Sequence, residues 1–345
     1  MTVCPVAVRG KDRGVLTLGS ALRPLLRRAR APSFRAERPV KLLWPKDSFV
    51  LSPFRVAVLA FATACGATST PLAATDSTTL GVVPELTALP LGDGKISTSP
   101  RVGYVYSCQT TFGNNGAPLG KTTWITGSTW DQTIKPMVQG EVQWPNSRVT
   151  ISVAGTERIV SANNLPTHAT GMFPIQRSDP AFQFDGNPNP IAEQVILLRL
   201  AASPQAAAVP SCVPQGMIGF TTSGAALYNA LDGAGRDAAA HEVQDRCAGH
   251  PQGMGQYHYH SWSTCFRDAA TTQSQHSDLI GYALDGYGVF GQFGEGGRRV
   301  ANGDLDVCHG HTHAISWDGQ TRTLYHYHMT REYPYSVGCF HGVRS

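Results

Sequence analysis

Charged side chains are scarce in this 345-residue chain, at 15%, and they are unevenly spread. The first 55 residues carry twelve Lys and Arg against three acids, which leaves a net charge of −5 beyond them. The formal +4 of the whole chain therefore belongs to its N-terminal stretch. With no polybasic run after residue 55, binding nucleic acid or an anionic membrane through a basic face finds no support. A Walker loop, a G-x-S-x-G elbow and a dinucleotide fingerprint are also missing, so nucleotide-dependent and α/β-hydrolase chemistry find no support. The apolar run Val56-Ala-Val-Leu-Ala-Phe61 is too short to span a bilayer. In place of a helix-forming composition stand 36 Gly and 23 Pro. These favour a loop-rich, strand-rich globule.

What the chain does hold is histidine in one place. Eleven of its twelve histidines lie between His241 and His341, and Tyr-His-Tyr-His occurs there twice. One copy reads Cys247-Ala-Gly-His250, Tyr257-His258-Tyr259-His260, Cys265; the other reads Cys308-His-Gly-His311, Tyr325-His326-Tyr327-His328, Cys339. Strict alternation is a strand signal, and residues i and i+2 of a strand face the same way. Each copy therefore aims two imidazoles to one side and two phenols to the other.

The N-terminal stretch has the anatomy of an export signal. Arg55 precedes the Val56–Phe61 run, and Ala62-Thr-Ala64 supplies small residues before Cys65. Cys65 would be the lipidated first residue of a bacterial lipoprotein, although Ala62 stands where such signals usually have Leu. Val50 or Leu51 is the expected initiator if translation starts downstream of Met1. On this reading residues 1–64 are a leader and 65–95 a tether rich in Thr, Ala, Pro and Gly. Residues 96–159 form an N-terminal β segment, and 160–345 carry the histidine repeats. The expected location is periplasmic or at the cell surface.

An exported chain makes disulfides the expected use of its cysteines. Without Cys4 and Cys65 six remain, which permit fifteen pairings. The repeat suggests Cys247–Cys265 and Cys308–Cys339, leaving Cys108–Cys212. Short strand-like runs (101–106, 141–144, 148–153) separated by Gly/Asn clusters point to a mainly antiparallel, β-sandwich-like core with one or two short helices. Residues 191–200 read equally as strand or helix. Residues 236–246 are the best helix candidate, and 279–290 read as two strands around a turn at Asp285-Gly286.

His258, His260, His326 and His328 are the leading metal-ligand candidates, because neutral imidazoles at i and i+2 of a strand can chelate together. The spacing leaves open whether they converge on one centre or build two. His250 and His311 form a second tier, where ligand and turn-stabilising roles both fit; the Gly before each permits a tight turn. Copper and zinc both suit nitrogen donors. His309-Gly-His311-Thr-His313 lacks the Asp of the metallo-β-lactamase HxHxDH run, and His309 and His313 read as turn residues. His241-Glu242-Val-Gln-Asp245 is a near miss for HExxH: on a helix His241 and Asp245 would share a face, with Glu242 a base beside bound water.

Several pieces together resemble the YHYH-domain family of exported bacterial proteins. They include Asn164-Leu-Pro-Thr-His168, Gly235-Arg-Asp-Ala-Ala-Ala-His-Glu-Val-Gln-Asp-Arg-Cys247, both Tyr-His-Tyr-His units, Gly281-Tyr-Ala-Leu-Asp-Gly-Tyr-Gly-Val-Phe-Gly291 and Pro334-Tyr-Ser-Val-Gly-Cys-Phe-His-Gly342. The resemblance spans roughly residues 160–345. It implies an exported setting and names no reaction. His341 falls where relatives often carry Arg, which argues against a required ligand there. The expected role is transition-metal binding through the repeats; a metal-dependent hydrolase or oxidoreductase and a disulfide-stapled scaffold are the alternatives.

Overall fold

The computed structural model describes residues 81–344 apart from 115, 118–121 and 268–274. The leader, Cys65 and the first part of the tether lie outside the described residues. Within the stretch assigned to the tether, Leu89 is buried in the main core. Its strand β1 (Leu89–Pro90) pairs antiparallel with Thr129–Trp130.

The N-terminal segment is built from short pieces: β2 (Ile96–Ser97), β3 (Val105–Tyr106), β4 (Ile125–Thr126) and β5 (Thr129–Trp130). A three-stranded antiparallel sheet follows, made of β6 (Val149–Ala154), β7 (Glu157–Ala162) and β8 (Ile196–Ala201). The 191–200 ambiguity thus resolves as strand. β9 (Ala206–Ser211) pairs with the C-terminal strand Phe340–Gly342.

The largest sheet has eight strands: β10 (Met217–Thr221), β11 (Ala226–Tyr228), β12 (Gly249–Pro251), β13 (Tyr257–Tyr259), β14 (Leu279–Ala283), β15 (Gly288–Phe290), β16 (Gly310–Trp317) and β17 (Gln320–His328). Their order is β12-β13-β11-β10-β14-β15-β17-β16, which reads as two equivalent halves meeting antiparallel at β10 and β14. The registers repeat residue by residue. Phe220 pairs with Ala226 and Tyr282 with Gly288; Leu227 pairs with Tyr259 and Val289 with Tyr327; His250 pairs with His258 and His311 with His326. Even the register shift recurs, at Met217/Gly219 and at Leu279/Gly281. Each half contains one parallel pairing, β11 with β13 and β15 with β17, in an otherwise antiparallel sheet.

Both faces of this sheet are covered. Tyr257, Tyr259, Tyr325 and Tyr327 point into the core that contains Leu89, Val105 and Trp130. Phe220, Tyr282, Phe290 and Trp317 face the opposite way, onto Val160, Ile196 and Leu200 of β7 and β8. The alternation in the sequence is borne out: phenols enter one core, while the imidazoles emerge on the other face. Gly286 (φ +90°) makes the expected turn between β14 and β15, a conformation in which a Cβ would be strained.

The expected helix over 236–246 shrinks to one turn, Ala238–His241, capped by the Asp237 side chain on Ala240 N–H. Glu242 is already extended (φ −84°, ψ 141°), so His241 and Asp245 share no helix face. The three disulfides are Cys108–Cys212, Cys247–Cys265 and Cys308–Cys339, as the repeat suggested.

Candidate metal centres

Two turns of the same design deliver the histidines. Asp245 Oδ1 accepts the N–H groups of Cys247 (2.9 Å) and Gly249 (3.3 Å), and Asp306 Oδ1 accepts those of Cys308 (2.9 Å) and Gly310 (3.1 Å). The residue before each Gly, Ala248 or His309, takes a positive φ (57° and 75°). Each Asp also receives a phenol from its own repeat, Tyr257 or Tyr325, at 3.0 Å. The Gly is required because the ring lies on it: a Cβ at Gly249 would sit 2.2 Å from Tyr257 Cζ, and one at Gly310 2.4 Å from Tyr325 Oη. The next residue, His250 or His311, then faces the two imidazoles of the neighbouring strand.

The four histidines of the paired motifs do not converge. They form two clusters, one in each half of the sheet. In centre A, His250, His258 and His260 bring ligand nitrogens within 4.8 Å of one another, and all three are buried. Glu242 joins them, its Oε2 lying 3.2 Å from the Nε2 atoms of both His250 and His260. In centre B, His311, His326 and His328 are joined by His276 and His313 within the same 4.8 Å limit. Their ring centroids lie 4.4–6.5 Å apart where they meet. His276 and His313 were missed as ligands; His276 lies outside the repeated frame, and His313 read as a turn residue. His309 does occupy a turn, and its Nε2 contacts Thr330 Oγ1 at 3.0 Å.

Backbone carbonyls orient the rings. Nδ1 of His258 donates to Gln256 O and that of His260 to Asn229 O (3.0 and 2.5 Å). At the equivalent places His326 donates to Leu324 O and His328 to Gly291 O (3.0 and 2.6 Å). A carbonyl only accepts, so the proton of each neutral ring sits on Nδ1 and the Nε2 lone pair is left bare. Such outer contacts are the usual means of aiming a histidine at a metal.

The bare lone pairs then meet. Nε2 of His258 and Nε2 of His260 are 3.0 Å apart, with Glu242 Oε2 3.2 Å from the latter. In centre B the Nε2 contacts are 3.3 Å for His276–His326 and 2.9 Å for His313–His311. Where both rings of such a pair carry their proton on Nδ1, the two facing lone pairs repel unless a cation lies between them. Four ligands on a tetrahedral zinc with Zn–N bonds of 2.0–2.1 Å are about 3.3–3.4 Å apart, so these spacings suit a shared ion. Buried polar atoms within the centres also lack any partner in the protein: His250 Nδ1 and His328 Nε2, while Glu242 Oε2 meets only the histidines of its own centre. Such orphaned buried groups are rare in native folds. The residues present therefore fit a metal ion.

A proton is a poor substitute for that ion. Burial pushes His326 down to about 2, with the neighbouring rings of His311, His313 and His276 adding to the effect. His311 falls to about 4 for the same reasons, burial first. His258 and His328 are held well below the ordinary histidine value by burial and then by adjacent imidazoles. Centre A differs through its carboxylate. Burial opposes ionisation of both His250 and Glu242, yet their mutual attraction wins, raising His250 and holding Glu242 well below the usual range.

Residues 199–299 match the model of the YHYH protein family. The YHYH match takes in centre A and His276 and ends before the second Tyr-His-Tyr-His, which the fold shows to be the structural counterpart of the first. No curated protein and no solved structure matches the chain.

The remaining histidines serve elsewhere. His168 contacts Tyr259 Oη (2.6 Å), and its neighbours Cys247 and Cys265 are joined to each other, so that trio is no thiolate site. His241 pairs with Asp93 (2.8 Å). His341 stacks on Tyr325, with centroids 3.7 Å apart.

Proposed function

We propose that this chain is an exported protein that binds a transition metal at two centres, one in each half of its pseudo-twofold sheet. The observation that supports it best is the convergence of buried imidazoles in each half: the nitrogens of His250, His258 and His260 lie within 4.8 Å of one another, and those of His276, His311, His313, His326 and His328 do the same. Centre A offers three nitrogens and one carboxylate oxygen, a donor set that zinc takes readily. The five imidazoles of centre B suit copper or zinc. Binding, orientation of the rings by carbonyls, and exclusion of protons are the work of the chain; the ion would supply Lewis acidity or a redox couple.

Three disulfides point to an oxidising milieu outside the cytoplasm. That agrees with the export-signal anatomy at residues 55–65, with Cys65 as the lipid-bearing anchor. Among the described residues no helix is long and apolar enough to cross a membrane.

Elemental analysis of purified mature protein tests the reading. Wild type should carry two equivalents of metal, and the pairs His258→Ala/His260→Ala and His326→Ala/His328→Ala should each carry one. Stoichiometric metal retained by either pair at its own centre would defeat the assignment.

A further inference from the structure

Away from the two centres, one cavity of about 270 Å³ is lined by charge of a single sign. Arg246 and Trp262 reach it from the first half of the repeat, Arg299 and Arg331 from the second, and Trp130 from β5. Among the described residues no Asp or Glu lines it, and none of the histidines of the two centres does.

The three guanidinium groups are not equally satisfied. Arg246 pairs with Glu141 at 2.9 Å, both side chains being exposed. Arg299 donates to the Gln292 side-chain oxygen and stands over the Phe293 ring, 4.6 Å from its centroid. Arg331 donates to the Pro84 carbonyl at 3.3 Å. Those partners are all neutral, so within the described residues the charges of Arg299 and Arg331 stand without a carboxylate. Burial, and after it the charge of Arg331, holds Arg299 below the ordinary arginine value, and no acid opposes them. Two like charges partly withdrawn from water beside one cavity are stabilised by an anion placed there.

The aromatic wall adds a donor. Trp130 and Tyr335 are buried and border the same space. The Trp130 indole N–H has no well-formed hydrogen bond, because the Tyr335 phenol beside it is given to Asp237. A buried donor without a good acceptor is rare in native folds. Guanidinium groups bind carboxylate and phosphate oxygens through paired N–H donors, and aromatic rings cover the apolar body of a ligand. The volume limits that ligand to a small molecule.

We propose that this cavity binds a small organic anion. The carboxylate or phosphate group meets Arg299 and Arg331, and the apolar part lies against Trp262 and Trp130. The site is separate from both metal centres and does not depend on their occupancy.

Calorimetric titration of the mature protein in Tris chloride tests it, with sodium benzoate, sodium phosphate and, as a neutral counterpart, benzamide. At least one of the anions should bind at one site per chain, about tenfold or more tighter than benzamide. Binding of benzoate alone assigns the carboxylate, and of phosphate alone the phosphate group. Arg331→Gln should weaken that binding by about tenfold or more, the loss of one charge-assisted contact. Thr264 is exposed and lines the cavity, so Thr264→Glu brings a carboxylate to the arginines while leaving both in place. It should weaken binding by a similar factor, and it keeps the test decisive where an arginine variant fails to fold. No saturable heat from either anion, or benzamide binding as tightly as benzoate, overturns the proposal. So does wild-type affinity in a folded Thr264→Glu protein, which would place the anion elsewhere. His258→Ala/His260→Ala and His326→Ala/His328→Ala should bind the anion as wild type does; its loss from either folded variant would put the anion on that metal centre and refute a separate site.

Discussion

Removing one phenolic oxygen tests whether burial, rather than sequence equivalence, sets the strength of the two turns. Tyr257 is fully buried and donates to both oxygens of Asp245 at 3.0 Å; Asp245 is itself buried. Burial lifts the Asp245 carboxyl above its ordinary range even though Gly171, Gly249 and Cys247 N–H groups and the phenol hold it. Tyr257→Phe leaves the ring and its packing on Gly249 intact and takes away one charge-assisted bond that water cannot replace. Hydrogen bonds to charged groups contribute about 1.5–3 kcal/mol net, so a loss of about 2 kcal/mol is expected. The counterpart, Tyr325→Phe, removes a bond to Asp306, whose side chain is 38% exposed. Water can solvate that carboxylate, and the loss should be nearer about 0.5–1 kcal/mol. Urea unfolding of both variants in EDTA, with disulfides intact, measures the difference directly. Equal losses, or a larger one for Tyr325→Phe, would refute the burial argument.

Asp237 gives a pH prediction. It is fully buried, and burial raises its carboxyl to about 6 despite donation from Tyr335 and the Gly92 and Ala240 N–H groups. Below both the unfolded and the folded values it imposes no titration penalty; as pH rises through that window the unfolded state loses its proton first and stability falls. A shift of about two units corresponds to about 3 kcal/mol, so wild type should lose that much relative to Asp237→Asn between about pH 4 and pH 7. A difference between the two proteins that stays flat across that range would contradict it. For the disulfides, the chain-entropy relation gives about 4.7 kcal/mol for Cys108–Cys212 with its separation of 104, about 3.7 for Cys308–Cys339 at 31 and about 3.2 for Cys247–Cys265 at 18. Paired Cys→Ser variants unfolded in denaturant should follow that order, and a reversed order would count against unfolded-state entropy as the source.

Much of the candidate site was legible because alternation has only one meaning on a strand. Tyr-His-Tyr-His sends its phenols to the core and its imidazoles to the opposite face, and the recurring Cys frame carried the pairing of the disulfides. The number of centres was not legible. It depends on which strands lie between the two copies, and here β11, β10, β14 and β15 separate β13 from β17. At about 4.8 Å per strand spacing that is on the order of 24 Å across the sheet. Glu242 read as a base beside bound water, and its place among the ligands of centre A was hidden for a different reason. Its neighbours Asp237, His241 and Asp245 resembled a helical face, whereas the chain turns extended after His241 and swings the carboxylate beneath His250 and His260. His276, fifty residues before its contact His326, has no counterpart in the first copy of the repeat that would have announced it.

Anomalous diffraction from crystals of the metal-loaded protein tests the central claim most directly. Two peaks are predicted per chain. One should lie within bonding distance of His250, His258, His260 and Glu242, and the other among the Nε2 atoms of His276, His311, His313, His326 and His328. A single shared peak, or two peaks bound by other residues, would contradict the account.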